Sequence, residues 1–145
     1  MVPEWVPVVA ADPAAVDRTE VERRAAELGL APVRWPDPFP FDTRTAALAA
    51  TYAKHTGRGV AFSLAAMRQA FAAGRDLSVV DNVLIAAAAC ELHPRAVLKG
   101  IESTAVARAL DAATARAVEL GVRELPALAV GDRVSGGPDA IERLH

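Results

Sequence analysis

Few residues of this chain are placed to do chemistry, and the best candidates lie near its C-terminal end. In Gly121-Val122-Arg123-Glu124-Leu125-Pro126-Ala127-Leu128-Ala129-Val130-Gly131-Asp132, a helical pattern stops at a glycine. A proline then leads into a short apolar strand and a Gly-Asp turn. Proline at a strand's first position donates nothing to the ladder. If the Leu125–Pro126 bond is cis, the loop can present the backbone N–H and C=O of Leu125 to an extended peptide as an added strand. The plainer reading is a strand-leading proline that only packs. Gly137 and Asp139, in Gly136-Gly137-Pro138-Asp139, either mark a ligand-holding helix start or simply begin a last helix, with proline in its first turn.

The nucleophile and metal candidates are weak. Cys90 is the chain's one cysteine and lies in Ile85-Ala86-Ala87-Ala88-Ala89-Cys90. It reads as a small buried hydrophobe, because a reactive thiolate needs a positive or helix-N-terminal setting. It excludes an internal disulfide and a CxxC pair, and a reducing cytoplasm is the expected compartment. His55, His93 and His145 share no metal spacing with one another or with Cys90, so no metal is expected. Asp76, Asp81 and Glu91 read as loop or cap residues. His55, following Lys54 near a helix end, suits the helix dipole.

A chain of 145 residues suffices for one domain, or one domain with an insertion. With 52% hydrophobic and 23% charged residues, the composition is that of a globular chain. A net charge of −2 gives no electrostatic case for nucleic acid or an anionic membrane surface. The longest apolar run, Val83 to Cys90, is far short of the roughly 20 residues that a membrane span requires. Trp5-Val6-Pro7-Val8-Val9 predicts an edge strand, broken by Asp12-Pro13. Asp17 and Gly29 bracket a helix whose Arg18, Arg23 and Arg24 interleave with Glu20, Glu22 and Glu27 as a solvated face. Four prolines between Pro32 and Pro40 allow neither helix nor central strand. The aromatics Trp35, Phe39 and Phe41 make that segment an ordered crossing packed on a core. Helical spacing then predicts helices at 43–56, 59–73, 79–91, 94–101 and 103–120, strands at 126–130 and 132–135, and a helix at 139–144.

That block order carries a resemblance. Pro36-Asp37-Pro38-Phe39-Pro40-Phe41-Asp42-Thr43, Ala117-Val118-Glu119-Leu120-Gly121-Val122, Leu125-Pro126 and Gly137-Pro138-Asp139-Ala140-Ile141 resemble the DsbA-like family. The subgroup most alike is that of 2-hydroxychromene-2-carboxylate isomerases and kappa-class glutathione transferases. The resemblance runs from about Trp5 to the C-terminus. It implies an α/β, thioredoxin-like fold with an inserted all-helical domain, predominantly helical overall and shortened at its N-terminus. The expected division is 1–42 and 116–145 for the thioredoxin-like parts, with 43–115 as the helical insertion.

The resemblance also implies glutathione as a ligand, held by Leu125, Pro126, Gly137 and Asp139. Trp35 and Asp42 would wall a small-molecule pocket where the crossing borders the cleft; packing under the crossing and capping of the next helix are their plainer roles. By the same resemblance, the family's first strand, and the helix that carries a catalytic Ser or Cys at its N-terminus, are expected to be absent from this sequence. Residues 1–10 correspond to its second strand. Ala127 stands where the family commonly has Thr, Ala140 where it has a basic residue, and Gly136 lies where an aromatic is usual. The expectation is therefore a DsbA-like protein, catalytically impaired as this chain stands. The alternatives are an active glutathione-dependent isomerase or transferase on a small aromatic substrate, or a non-catalytic interaction module. A missing strand–helix unit would leave edges and apolar surface open to a second copy, so a homodimer is a further expectation.

Overall fold

In a computed structural model, residues 2–10 and 15–144 are described; the Asp12-Pro13 break and His145 lie outside them. Six helices run in order: α1 (Arg18–Glu27), α2 (Arg44–His55), α3 (Gly59–Phe71), α4 (Val80–Ala89), α5 (Pro94–Glu102) and α6 (Thr104–Glu119). Two strands follow, β1 (Ala127–Val130) and β2 (Arg133–Gly136), and then a 3-10 turn, Glu142–Leu144. Local chemistry explains most boundaries. The Asp17 carboxylate accepts the Glu20 N–H at 3.1 Å to start α1, and Gly29 at φ 68° lets the Leu30 N–H close back on the Ala25 carbonyl. Ser103 Oγ accepts the Val106 N–H at the start of α6. At the start of α5, His93 Nδ1 accepts the Arg95 N–H and Pro94 occupies the first turn.

The core lies among the helices. α2 touches α3, α4, α5 and α6, and it can do so because its buried face is nearly all alanine: Ala47, Ala49, Ala50 and Ala53. Phe62, Val83 and Val97 fill the larger cluster, while Leu110 and Val106 fill a second one against Leu48. The approach of α5 is set by Gly100, where a Cβ would lie 2.5 Å from Tyr52 Cγ. α6 runs unbroken through positions 115 and 116, so the division expected there falls inside one helix. None of the described helices is long and apolar enough to cross a membrane.

Two expected elements are corrected. Residues 5–9 form no strand; Val9 N–H instead donates to Thr114 Oγ1 on α6 at 3.1 Å, and Glu4 pairs with Lys54. Pro3 and Pro7 remove donors there, and an extended segment becomes a strand only where a second strand accepts its ladder. The closing helix at 139–144 shrinks to the 3-10 turn. Six residues are too few for a helix to offset its own nucleation, and Asp139 is held by side-chain partners.

Candidate functional site

The short C-terminal sheet builds the best-formed polar cluster around the sequence candidates. β1 and β2 are antiparallel, with Ala127 opposite Gly136, Leu128 opposite Ser135 and Val130 opposite Arg133. The Leu125–Pro126 peptide is cis. The Pro126 carbonyl accepts the Gly137 N–H at 2.8 Å, so two of the expected residues are brought together. Because hydrogen-bonded pairs alternate along an antiparallel ladder, Leu128 and Val130 also turn their backbone groups toward β2. Ala127 and Ala129 therefore turn theirs to the other edge of β1, which pairs with no strand among the described residues. Leu125 lies just before that edge; it is exposed, and no backbone hydrogen bond among the described residues uses its N–H or C=O.

Asp139, the other expected ligand holder, is engaged by protein partners. Arg24 Nη1 reaches its Oδ1 at 2.8 Å, and Arg143 Nη2 lies 3.9 Å from its Oδ2. The Asp139 carboxylate holds the Arg24 guanidinium above its ordinary pKa, chiefly through that hydrogen bond. Arg143 also donates to the Gly136 carbonyl at 3.3 Å. One residue here was not singled out from sequence. The Glu124 carboxylate lies so close over Gly137 that a Cβ there would be 3.0 Å from it, and a Cβ on Gly136 would be 2.7 Å from the Glu124 carbonyl oxygen. Its only sequence signal is its place immediately before Leu125-Pro126.

Trp35 and Asp42 are placed elsewhere. The Trp35 ring lies 5.1 Å from Phe39 and 6.0 Å from Phe71, under the Arg18 guanidinium at 5.0 Å. Its indole N–H donates to Glu22 at 2.7 Å. It clamps α1 and the crossing onto the end of α3. Asp42 accepts the Arg44 N–H at 2.8 Å, which closes the start of α2. Among the described residues no hydrogen bond or ring contact joins either one to the Leu125–Pro126 loop. α1 is the common partner: its Arg18 and Glu22 hold the crossing and its Arg24 holds Asp139. On that helix Arg18, Glu20, Glu22, Arg23 and Glu27 are exposed as the solvated charge pattern requires, with Arg23 paired to Glu20 and Glu27; only Arg24 is half-buried.

Cys90 closes α4 at 7% exposure, with its Sγ directed at the Ala86 and Ala87 carbonyls. Burial pushes its thiol pKa up. The thiolate is the attacking form, so Cys90 in the folded chain should react with a disulfide reagent at pH 8 at least about tenfold more slowly than after denaturation. A rate equal to that of the unfolded chain would show that the thiol is accessible. No three His, Cys, Asp or Glu among the described residues converge as metal ligands do.

Comparison with known proteins gives the family and the fold. Residues 14–145 match the DSBA-like thioredoxin domain family. The fold superimposes on the structure of a 2-hydroxychromene-2-carboxylate isomerase with a TM-score of 0.77, at 18% identity, over 88% of this chain. The chain spans 61% of the length of that isomerase. No curated protein matches the sequence.

Proposed function

We propose, because this chain belongs to the DSBA-like thioredoxin domain family, that it is a thiol-related member whose Leu125–Pro126 loop receives glutathione and whose chemistry, in the chain as it stands, is impaired. The observation that carries the first half is the open edge that begins at Leu125 and continues along Ala127 and Ala129. An extended peptide can lie there as a further strand. Glu124 supplies a carboxylate beside Gly137 for an ammonium group, and Arg143 supplies a cation for a carboxylate. The second half rests on the one thiol, which sits in the helical core with a raised pKa. A reducing cytoplasm suits such a chain.

The test is calorimetric titration with reduced glutathione and with S-methylglutathione. Both are expected to bind saturably at millimolar concentration, since the contacts are made by backbone and charge and not by the thiol. Leu125→Pro deletes the N–H that the ligand would use and is expected to weaken binding about tenfold. No saturation at millimolar glutathione would sink the binding half. Turnover of 2-hydroxychromene-2-carboxylate in the presence of glutathione would overturn the impaired half. It would favour the other reading, an active glutathione-dependent isomerase on a small aromatic substrate, to which the fold likeness points.

A further inference from the structure

The segment from Glu124 to Leu144 carries the Leu125–Pro126 loop and its open edge, yet little fastens it to the rest of the chain. Neither core cluster contains a residue of it. The hairpin and α1 make no close backbone contact with any of the helices α2 to α6. Among the described residues, one hydrogen bond joins the segment to anything earlier in the chain: Arg24 Nη1 donates to Asp139 Oδ1 at 2.8 Å. A two-stranded hairpin is marginal on its own in water, so its ladder depends on what holds it. That makes the bond from α1 the polar anchor of the candidate site.

From that anchor the hydrogen bonds lead to the loop in short steps. Asp139 is held between Arg24 and Arg143, whose Nη2 lies 3.9 Å from the second carboxylate oxygen. The same Arg143 donates through Nη1 to the Gly136 carbonyl at 3.3 Å. The next residue, Gly137, accepts the Ala140 N–H at 3.1 Å and donates to the Pro126 carbonyl at 2.8 Å. Leu125, where the open edge begins, is bonded directly to Pro126. A displacement of Asp139 thus reaches the edge through hydrogen bonds and adjacent residues alone.

α1 is itself braced on its other side. Successive residues turn by about 100° around a helix, so Glu22 and Arg24 lie on nearly opposite faces. Glu22 accepts the Trp35 indole N–H at 2.7 Å, and the Arg18 guanidinium stands over the Trp35 and Phe39 rings at 5.0 and 5.7 Å. Both rings pack on Phe71 at the end of α3. Arg24 therefore projects from a supported helix, as a group that holds another in place must. We infer that Arg24 is the positioning residue of the Leu125–Pro126 loop, and that it sets the open edge of β1 in place through Asp139. The pair is 36% and 47% exposed, so its effect is modest in size and sensitive to salt. The effect on glutathione rests on the function proposed above; the effect on the loop does not.

Hydrogen exchange of the ligand-free chain is the first test. Arg24→Gln is expected to speed exchange at the Leu128, Val130 and Gly137 amides about fivefold, while the melting of the helices followed by circular dichroism is unchanged. Arg24→Lys should keep most of the protection, because the contact is one nitrogen on one oxygen and not a bidentate fork. In an Asp139→Ala background, Arg24→Gln should have no further effect. In sodium chloride at about 1 M, where charges are screened beyond about 3 Å, the parent chain should approach the Arg24→Gln rate. Titration with reduced glutathione is the second test: Arg24→Gln is expected to weaken binding about fivefold and Arg24→Lys to restore most of it. Unchanged exchange in Arg24→Gln overturns the inference, as does an Arg24→Gln effect that persists in full without the Asp139 carboxylate. Tighter glutathione binding by Arg24→Gln also overturns it, since Arg24 would then withhold Asp139 from the ligand. Faster exchange in Arg24→Gln, with no glutathione binding even by the parent chain, would uphold the inference and remove the function proposed above.

Discussion

Phe62→Ala is expected to lower the free energy of unfolding by about 4 kcal/mol, the largest effect of any single truncation in this chain. The reason lies in what surrounds it. The core is mostly alanine, and the largest fully buried side chains are Phe62, Leu110, Val83 and Val97. Phe62 is therefore the major apolar volume of the larger cluster, placed where α3 meets α2 and α4. Short alanine side chains cannot swing in to fill the hole, so both the transfer loss and the cavity remain. A domain of this size has about 5–15 kcal/mol in hand, so the variant should be close to unfolding at 37 °C. Urea denaturation of the variant beside Val118→Ala, an exposed position on α6 expected to change stability by under about 0.5 kcal/mol, checks this. A loss for Phe62→Ala no larger than that of the control would mean that the helices do not pack around it.

Gly136→Ala is the second large effect, and it falls on the candidate site. A Cβ at Gly136 would stand 2.7 Å from the Glu124 carbonyl oxygen and 3.2 Å from its Cβ. Both neighbours are close to the main chain, so the loop from Glu124 to Pro126 must move as a whole. Overpacking of this kind costs about 2 kcal/mol. The two strands lie outside both helical clusters, so the loss should appear locally. Hydrogen exchange at the Leu128 and Val130 amides, which face β2, is expected to speed about thirtyfold, while the melting of the helical core moves little. Glutathione binding should fall below detection, because the edge at Leu125 is displaced with the loop. Unchanged exchange together with unchanged binding would show that Glu124 does not pack over the Gly136–Gly137 turn.

These two positions differ in how visible they are from sequence. Phe62 repeats at helical spacing within an alanine-rich stretch, so both its helix and its burial follow from periodicity. Gly136 is one of two adjacent glycines with no local mark of being covered. The covering residue, Glu124, is twelve positions away in the chain and adjacent only because the hairpin folds back. α1 shows the same division. Its caps, Asp17 and Gly29, could be read directly because each acts within four residues. The targets of Arg18, Glu22 and Arg24 could not, since they lie on the crossing and on the C-terminal turn.

The six helices, the caps of α1, the role of Asp42 before α2, the proline-rich crossing and the hairpin were all legible along the chain, together with a block order specific enough to place the chain in its family. Each of those features is governed by interactions within a few residues, or by a period that any solvent boundary enforces. Only the tertiary structure decided the rest. Residues 5–9 form no strand, because a strand exists through its partner and none of the described strands pairs with them. Asp139 is bound by Arg24 and Arg143 and starts no helix. Trp35 clamps α1 instead of facing the loop, and the open edge of β1 begins at Leu125. Each of these depends on which distant groups meet, and that is settled by packing, not by spacing along the chain.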